Sequence, residues 1–310
     1  YVSGFTDSSD FPTQNPYQGD QTGGDGFVTV IDPTLSGSSS LLYSTYLGGN
    51  GEDQCKKPAV NAAGNVFLTG CTESSDFPTQ NPYQATYNGN GDSFLTILDI
   101  GRTGSNQLVY SSYLGGSLGD GGNDIALECR YVYVAGETVS TDFPIKEQYQ
   151  GAQGDIDGFV AKFDIARTGA AQLLYSTHIG GTQRDSLYGM GLDGSGNIYV
   201  AGKTYGSDYP IVNQYQGDQP DEDAFFTKMI PPFFSGHALE IISPNGGEDW
   251  ALGSAQNITW DACFLTGNVD IGLVKNGSLI GVIAKGIDAA AGSYAWTAGQ
   301  YIGGTAPAGS

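Results

Sequence analysis

Basic side chains are scarce in this chain: 12 Lys and Arg stand against 33 Asp and Glu, a net charge of -21 over 310 residues. A surface of that sign repels phosphate backbones and excludes nucleic acid as a partner. Cations are its natural counterparts, although acidity also simply confers solubility. Methionine contributes 2 residues and histidine 2. No window keeps apolar residues at helical spacing for several turns, which excludes a helical core. No run of about 18 apolar residues is present, so no transmembrane helix is expected. An initiator Met and an export signal are also missing. The chain opens at Tyr1-Val2-Ser3-Gly4, in the middle of a repeat described below, and so reads as part of something longer.

The few histidines and cysteines limit the chemistry available. His178 is a strand residue standing where the repeat has Tyr46 and Tyr113, and His237 falls between domains; neither sits in a nucleophile or zinc motif. The four cysteines, Cys55, Cys71, Cys129 and Cys263, show no CxxC or Cys/His spacing. Cys55 and Cys71 lie equidistant from Ala63, and Asn61-Ala62-Ala63-Gly64-Asn65 reads as a hairpin turn. They would then face each other on adjacent strands, either as a disulfide or as two separate buried thiols. Cys129 and Cys263 have no evident partner.

What is abundant is glycine (48 residues) and aromatic residues (12%), the signature of short strands joined by tight turns. These are organised by self-similarity. Aromatic-Pro recurs at Phe11, Phe77, Phe143 and Tyr209, each preceded by Asp and each 66 residues from the next. Tyr-Gln follows at Tyr17, Tyr83, Tyr149 and Tyr215, and the stretch from Ser8 to Gln18 returns letter for letter at Ser74 to Gln84. Each period also carries a Tyr-Ser strand ending in Gly-Gly, an inner strand, a strand ending Gly-x-Thr, and a strand opening Asp-x-Phe at Asp25, Asp92, Asp157 and Asp223. Four short antiparallel strands per period make one propeller blade. The period exceeds the ~40–45 residues of common propeller repeats, and the excess is the loop bearing the aromatic-Pro and Tyr-Gln marks. Those repeated rings are read as packing between blades rather than as ligand-stacking platforms.

Tyr43-Ser44-Thr45-Tyr46-Leu47-Gly48-Gly49, Gly64-Asn65-Val66-Phe67-Leu68-Thr69-Gly70, Asp76-Phe77-Pro78 and Asp92-Ser93-Phe94 together resemble the SBBP-type β-propeller repeat. The resemblance covers about residues 1–230 and implies a secreted or cell-surface propeller without implying one activity. It frames a half-blade at 1–32 and blades at about 41–100, 107–166 and 172–230. One unit departs from the pattern, having Glu128-Cys129-Arg130 in place of the Gly-Asn turn. A seven-bladed ring would need about four more periods.

After a linker at 231–238, residues 239–310 break the rhythm. Leu239 to Glu248, Ile258-Thr259-Trp260, Val269 to Val274 with an Asn276-Gly277 hairpin turn, and Ser293-Tyr294-Ala295-Trp296 suggest a β-sandwich. These segments resemble the Ig-like module of Ser/Thr-rich, GPI-anchored wall proteins, with the last strands missing. The expected fold is therefore all-β, propeller-type blades followed by an incomplete Ig-like module.

Carboxylates recur in every period, whereas a catalytic site needs to occur once, so the chain is read as a non-enzyme. No cofactor is required. Calcium is the one candidate, at Asp155/Asp157 and Asp221/Asp223, weighed against the reading that these Asp side chains cap their turns. Asn257-Ile258-Thr259 and Asn276-Gly277-Ser278 match the glycosylation sequon. The leading expectation is an extracellular or cell-surface structural or adhesive protein, self-associating, with unfinished sheets inviting another strand to build a fibre. The rival is a carbohydrate- or protein-binding propeller; a polysaccharide hydrolase ranks third.

Overall fold

The computed structural model describes residues 1–193, 196–219, 221–230, 240–244, 249–261, 267–275 and 278–305. His237, Cys263, the 231–238 linker and the second sequon's Asn276 lie outside them. The chain divides into two compact units, Tyr1–Pro232 and Phe233–Ser310.

The first unit is a series of four antiparallel sheets. Sheet one holds β1 (Val2–Thr6), β2 (Asp25–Ile31) and β3 (Leu41–Leu47). Sheet two holds β4 (Asp53–Cys55), β5 (Ala59–Val60), β6 (Val66–Thr72), β7 (Asp92–Leu98) and β8 (Leu108–Leu114), with β4 and β5 both on one edge of β6. Sheet three holds β9 (Asp120–Glu128), β10 (Tyr131–Thr138), β11 (Asp157–Asp164) and β12 (Leu173–Ile179), and sheet four β13 (Asp185–Leu192), β14 (Ile198–Thr204) and β15 (Asp223–Met229).

The strand content per period is as the sequence suggests, but the sheet boundaries are displaced by one strand. The Tyr-Ser strand that opens each sequence unit closes the preceding sheet: β3 pairs with β2, β8 with β7 and β12 with β11. The reason is chain length. A short turn starting at Asp32, Asp99 or Asp164 returns the chain directly onto the strand it has just left, and each Asp N–H donates to Ser40, Gln107 or Gln172 O. The Gly-Gly that follows then carries the chain across to the next sheet.

The sheets pack face to face, and each core is shared by neighbours. Val28 of sheet one meets Val66 and Leu68 of sheet two; Leu95 and Ile97 meet Val132 and Val134 of sheet three; Val160 meets Leu187, Ile198 and Val200 of sheet four. All residues of β7 and β11 are buried on both faces, whereas β15 alternates half-buried and exposed along most of its length. A strand loses that alternation only when a sheet covers each side.

Within each sheet the Gly-x-Thr glycine sits opposite the Phe of Asp-x-Phe, as in Gly70↔Phe94 and Gly136↔Phe159. The ring lies across the glycine, and the loop aromatic stacks on it: Phe11–Phe27 at 4.6 Å, Phe77–Phe94 at 4.7 Å, Phe143–Phe159 at 4.4 Å and Tyr209–Phe225 at 4.2 Å. The aromatic-Pro loop is thereby pinned to its own sheet.

The second unit is also all-β. It contains β16 (Glu240–Ser243), β17 (Ala255–Asp261), β18 (Asn268–Lys275), β19 (Ser278–Asp288), β20 (Ser293–Thr297), β21 (Gln300–Tyr301) and β22 (Gly304–Thr305), in sheets ordered β16-β17-β20, β18-β19 and β21-β22. Ile258, Trp260, Ile283 and Ala284 form its small core, and the Trp260 indole N–H donates to Ala289 O at 2.7 Å.

Candidate functional site

The feature built most consistently from polar side chains is the seam between consecutive sheets, made three times. At each seam the first residue of the next sheet donates its N–H backwards: Asp53 to Gly24 O at 2.7 Å, Asp120 to Gly91 O at 2.8 Å, Asp185 to Ile156 O at 2.8 Å. The side chain of that Asp then accepts from the Gly-Gly turn, with Gly49, Gly116 and Gly181 N–H donating to Oδ2 at 2.7 Å each. Ser74 and Ser140 hydroxyls donate to the same oxygens of Asp53 and Asp120 at 2.7 and 2.9 Å.

The Asp-x-Phe aspartates approach from the other side. Asp25, Asp92, Asp157 and Asp223 each accept on Oδ2 from the N–H four residues earlier, at 2.7, 3.0, 2.8 and 2.7 Å. This is the turn-capping role weighed against calcium. Asp155 and Asp221 are exposed, and Asp221 has a left-handed φ of 78°. Among the described residues no group of three or more His, Cys, Asp or Glu is placed to hold a metal. Asp157 and Asp223 are thus the capping members of their turns, and Asp155 and Asp221 precede them on the exposed side.

Asp25 converges with Asp53, Asp92 with Asp120, and Asp157 with Asp185, each pair on the first glycine of Gly-Gly. A side chain at Gly115 would lie 2.5 Å from Asp92 Oδ1 and 2.9 Å from Asp120 Oδ2, and Gly48 and Gly180 are enclosed in the same way. All six carboxylates are at most 3 % exposed, and Oδ1 of Asp25, Asp53, Asp92, Asp157 and Asp185 has no hydrogen-bond partner. Burial, with the facing carboxylate adding, raises Asp25 to about 6 and Asp92 to about 7. Burial likewise raises Asp53, Asp120 and Asp185. At the third seam His178 Nδ1 lies 3.4 Å from Asp157 Oδ2, where the other seams have Tyr46 and Tyr113 donating to Ser8 O and Ser74 O. The partner aspartates Asp53, Asp120 and Asp185 were not singled out in the sequence, although each follows the second glycine of its Gly-Gly by four residues.

A second clamp joins the sheets further along. Tyr43 donates to Gln107 Oε1 at 2.6 Å and Gln107 Nε2 donates to Asn15 O at 3.0 Å; Tyr110, Gln172 and Asn81 repeat this at 2.8 and 3.0 Å. The loop tyrosines follow the same logic. Tyr17 and Tyr83 pack on the following sheet, Tyr83 at 5.6 Å from Phe163, while Tyr149 is 62 % exposed and Tyr215 fully exposed. Tyr17 and Tyr83 are thus covered where a full sheet follows, and Tyr149 and Tyr215 are not.

Of the two readings of Cys55 and Cys71, the disulfide is not formed and the thiols are separate, Cys55 buried and Cys71 half-buried. The hairpin turn is where the sequence places it, with Gly64 N–H donating to Asn61 O. Between β5 and β4, however, Lys56-Lys57-Pro58 interrupts the ladder. The register moves from Ala59↔Phe67 to Cys55↔Gly70, so Cys71 points to the opposite face. Cys129, for which the sequence offered no partner, is disulfide-bonded.

Residues 174–210 match the SBBP beta-propeller repeat family. The match runs from β12 through β13 and β14 to Tyr209-Pro210, crossing the third seam. No curated protein matches the chain.

Proposed function

We propose that this chain is a structural or adhesive protein of the cell surface or extracellular space, acting without catalysis by associating with copies of itself and building fibres. The observation that carries this reading is the seam made three times from the same residues. A module that covers its neighbour with one surface and is covered through the opposite one is suited to extension. The fourth sheet supports it by leaving Tyr188 (50 % exposed), Phe226 (71 %) and Tyr215 uncovered. The disulfide at Cys129 favours an oxidising compartment. The first unit reads as propeller-type blades, and the second as an Ig-like spacer. No cofactor is required in this reading, with calcium at Asp155/Asp157 and Asp221/Asp223 the one candidate.

Exposed loop tyrosines, Tyr149, Tyr205 and Tyr215, favour a second reading in which the blades bind glycans or other surface proteins. Electron microscopy of purified native material separates the two. Regular filaments are expected, whereas discrete particles that bind a glycan array would favour the second reading. Turnover of a polysaccharide, abolished by one Asp or Glu substitution, would overturn both.

A further inference from the structure

In sheets one to three the last strand lies between two backbones, that of the Asp-x-Phe strand and that of the aromatic-Pro loop. The loop bridges it twice each time: Gln14↔Ser44 and Gln18↔Tyr46, Gln80↔Ser111 and Gln84↔Tyr113, Lys146↔Ser176 and Gln150↔His178. Sheet four has the Asp-x-Phe strand and the loop but, among the described residues, no strand between them. β15 pairs with β14 alone, and Val212 and Gln216, at the two bridging positions, have no such bridge. Val212 is 82 % exposed.

The loop nevertheless keeps the shape of its relatives. Asn213 has φ 52°, against 47°, 49° and 50° at Asn15, Asn81 and Glu147. The Gln219 side chain donates to Gly217 O and Asp218 O as Gln153 does to Gly151 O and Ala152 O. The slot is therefore held in shape by its own loop, which lowers the ordering cost of filling it. The sequence at the end of β15 also lacks the turn signal of the other sheets. In the other sheets Asp32, Asp99 and Asp164 start the return turn, each Oδ1 accepting an N–H two residues on. Ile230, which has no side-chain acceptor, occupies that place, and Pro232 has no N–H at the position two residues on.

We propose that the slot between β15 and residues 211–217 accepts an extended segment of a partner chain with the pattern aliphatic-x-Tyr-Ser-Ser/Thr-aromatic-aliphatic-Gly. The filled slots define the recognition. Thr45, Ser112 and Thr177 hydroxyls donate to the carbonyls of Gln18, Gln84 and Gln150 at 3.1, 3.3 and 3.1 Å. Gln18 and Gln150 side chains donate to Gly48 O and Gly180 O beyond the strand, at 2.7 and 2.6 Å. Gln216 is placed to do both. Main-chain bonds to β15 supply affinity, as in other strand-addition complexes.

This deepens the self-association reading, and its test reads the slot alone. A labelled peptide with the sequence of residues 172–181 is titrated into the full chain, with amide hydrogen exchange as a second readout. Saturable binding is expected, with slowed exchange confined to 223–229 and 211–217. A peptide carrying Ser176→Pro should bind at least about tenfold more weakly, having lost an N–H and the extended ladder, and Gln216→Ala in the full chain should weaken the native peptide about threefold or more. The proposal is overturned by absence of saturable binding, by equal binding of the Pro peptide, by protection elsewhere, or by protection in the free chain of those β15 amides that do not bond to β14. Filaments without peptide binding would leave self-association standing and remove the slot; binding without filaments would do the reverse.

Discussion

Asp92 shows what it means to seal a carboxylate against another carboxylate. Its Oδ2 is stabilised by Asn88 N–H and the Gln84 amide, yet burial and the facing Asp120 outweigh both and hold it at about 7. An unfolded Asp titrates near ~3.9. The folded chain therefore keeps this proton across a window in which the unfolded chain has released it. Stability from the group is complete below pH ~4 and is lost as pH rises through 7, with Asp25 behaving alike up to about 6. Melting temperature should accordingly rise as pH is lowered from about 8 to 5. Asp92→Asn should flatten that slope and raise the midpoint at pH 8 by roughly 2–4 °C, the size expected of about 1 kcal/mol. A steeper slope in the variant would remove the account. Below pH ~4 the trend reverses, because Asp142 and Asp208, held below the ordinary carboxylate range by Ser117 and Thr182 N–H, lose their partners' bonds on protonation.

Among the elements, the strand pair β10–β11 shows why the repeated glycines cannot drift. At Gly136 the ladder slips one residue against β9, and a Cβ there would run into Gly121 O while pressing on Phe159 at 2.9 Å. Neither backbone nor a fully buried ring can retreat cheaply. Gly136→Ala should therefore cost about 3 kcal/mol or more in urea unfolding, well above a surface Gly→Ala change; a loss under about 1 kcal/mol would show that the bulge relaxes. This bulge also marks the limit of what the sequence makes legible. The 66-residue period and the strand types are visible because identical residues recur at fixed spacing, whereas the aromatic-Pro rings, read as packing between blades, stack on the Phe of their own sheet. The disulfide alternative for Cys55 and Cys71 fails because a bulge is a property of the ladder, and hairpin symmetry counts residues without it. Sheet membership is hidden for a related reason, since strands grouped by sequence unit or by sheet fit the same letters. The burial of Asp53, Asp120 and Asp185 appears only once two sheets meet.

Across the whole molecule, a net charge of -21 coexists with stacked sheets whose seams already confine negative charge. Screening should stabilise such a chain, since its long-range self-repulsion weakens as the Debye length shortens from about 30 to 3 Å between 0.01 and 1 M salt. Sodium chloride at 0.5 M should raise the melting temperature, and EDTA at constant ionic strength should leave it unchanged. A drop on chelation, restored by calcium, would assign a cation to the Asp155/Asp157 and Asp221/Asp223 turns.

The one-strand offset between sequence unit and sheet has a further implication for how such a chain can change length. A copy of one period inserted at any point brings in the closing strand of one sheet and the opening strands of the next, so the cut site does not matter. Joining the residue before Asp53 to Asp120, for instance, would excise a whole layer while returning the first sheet to an aspartate of the same type. Growth or shrinkage by single periods therefore never leaves a half-formed layer inside the stack.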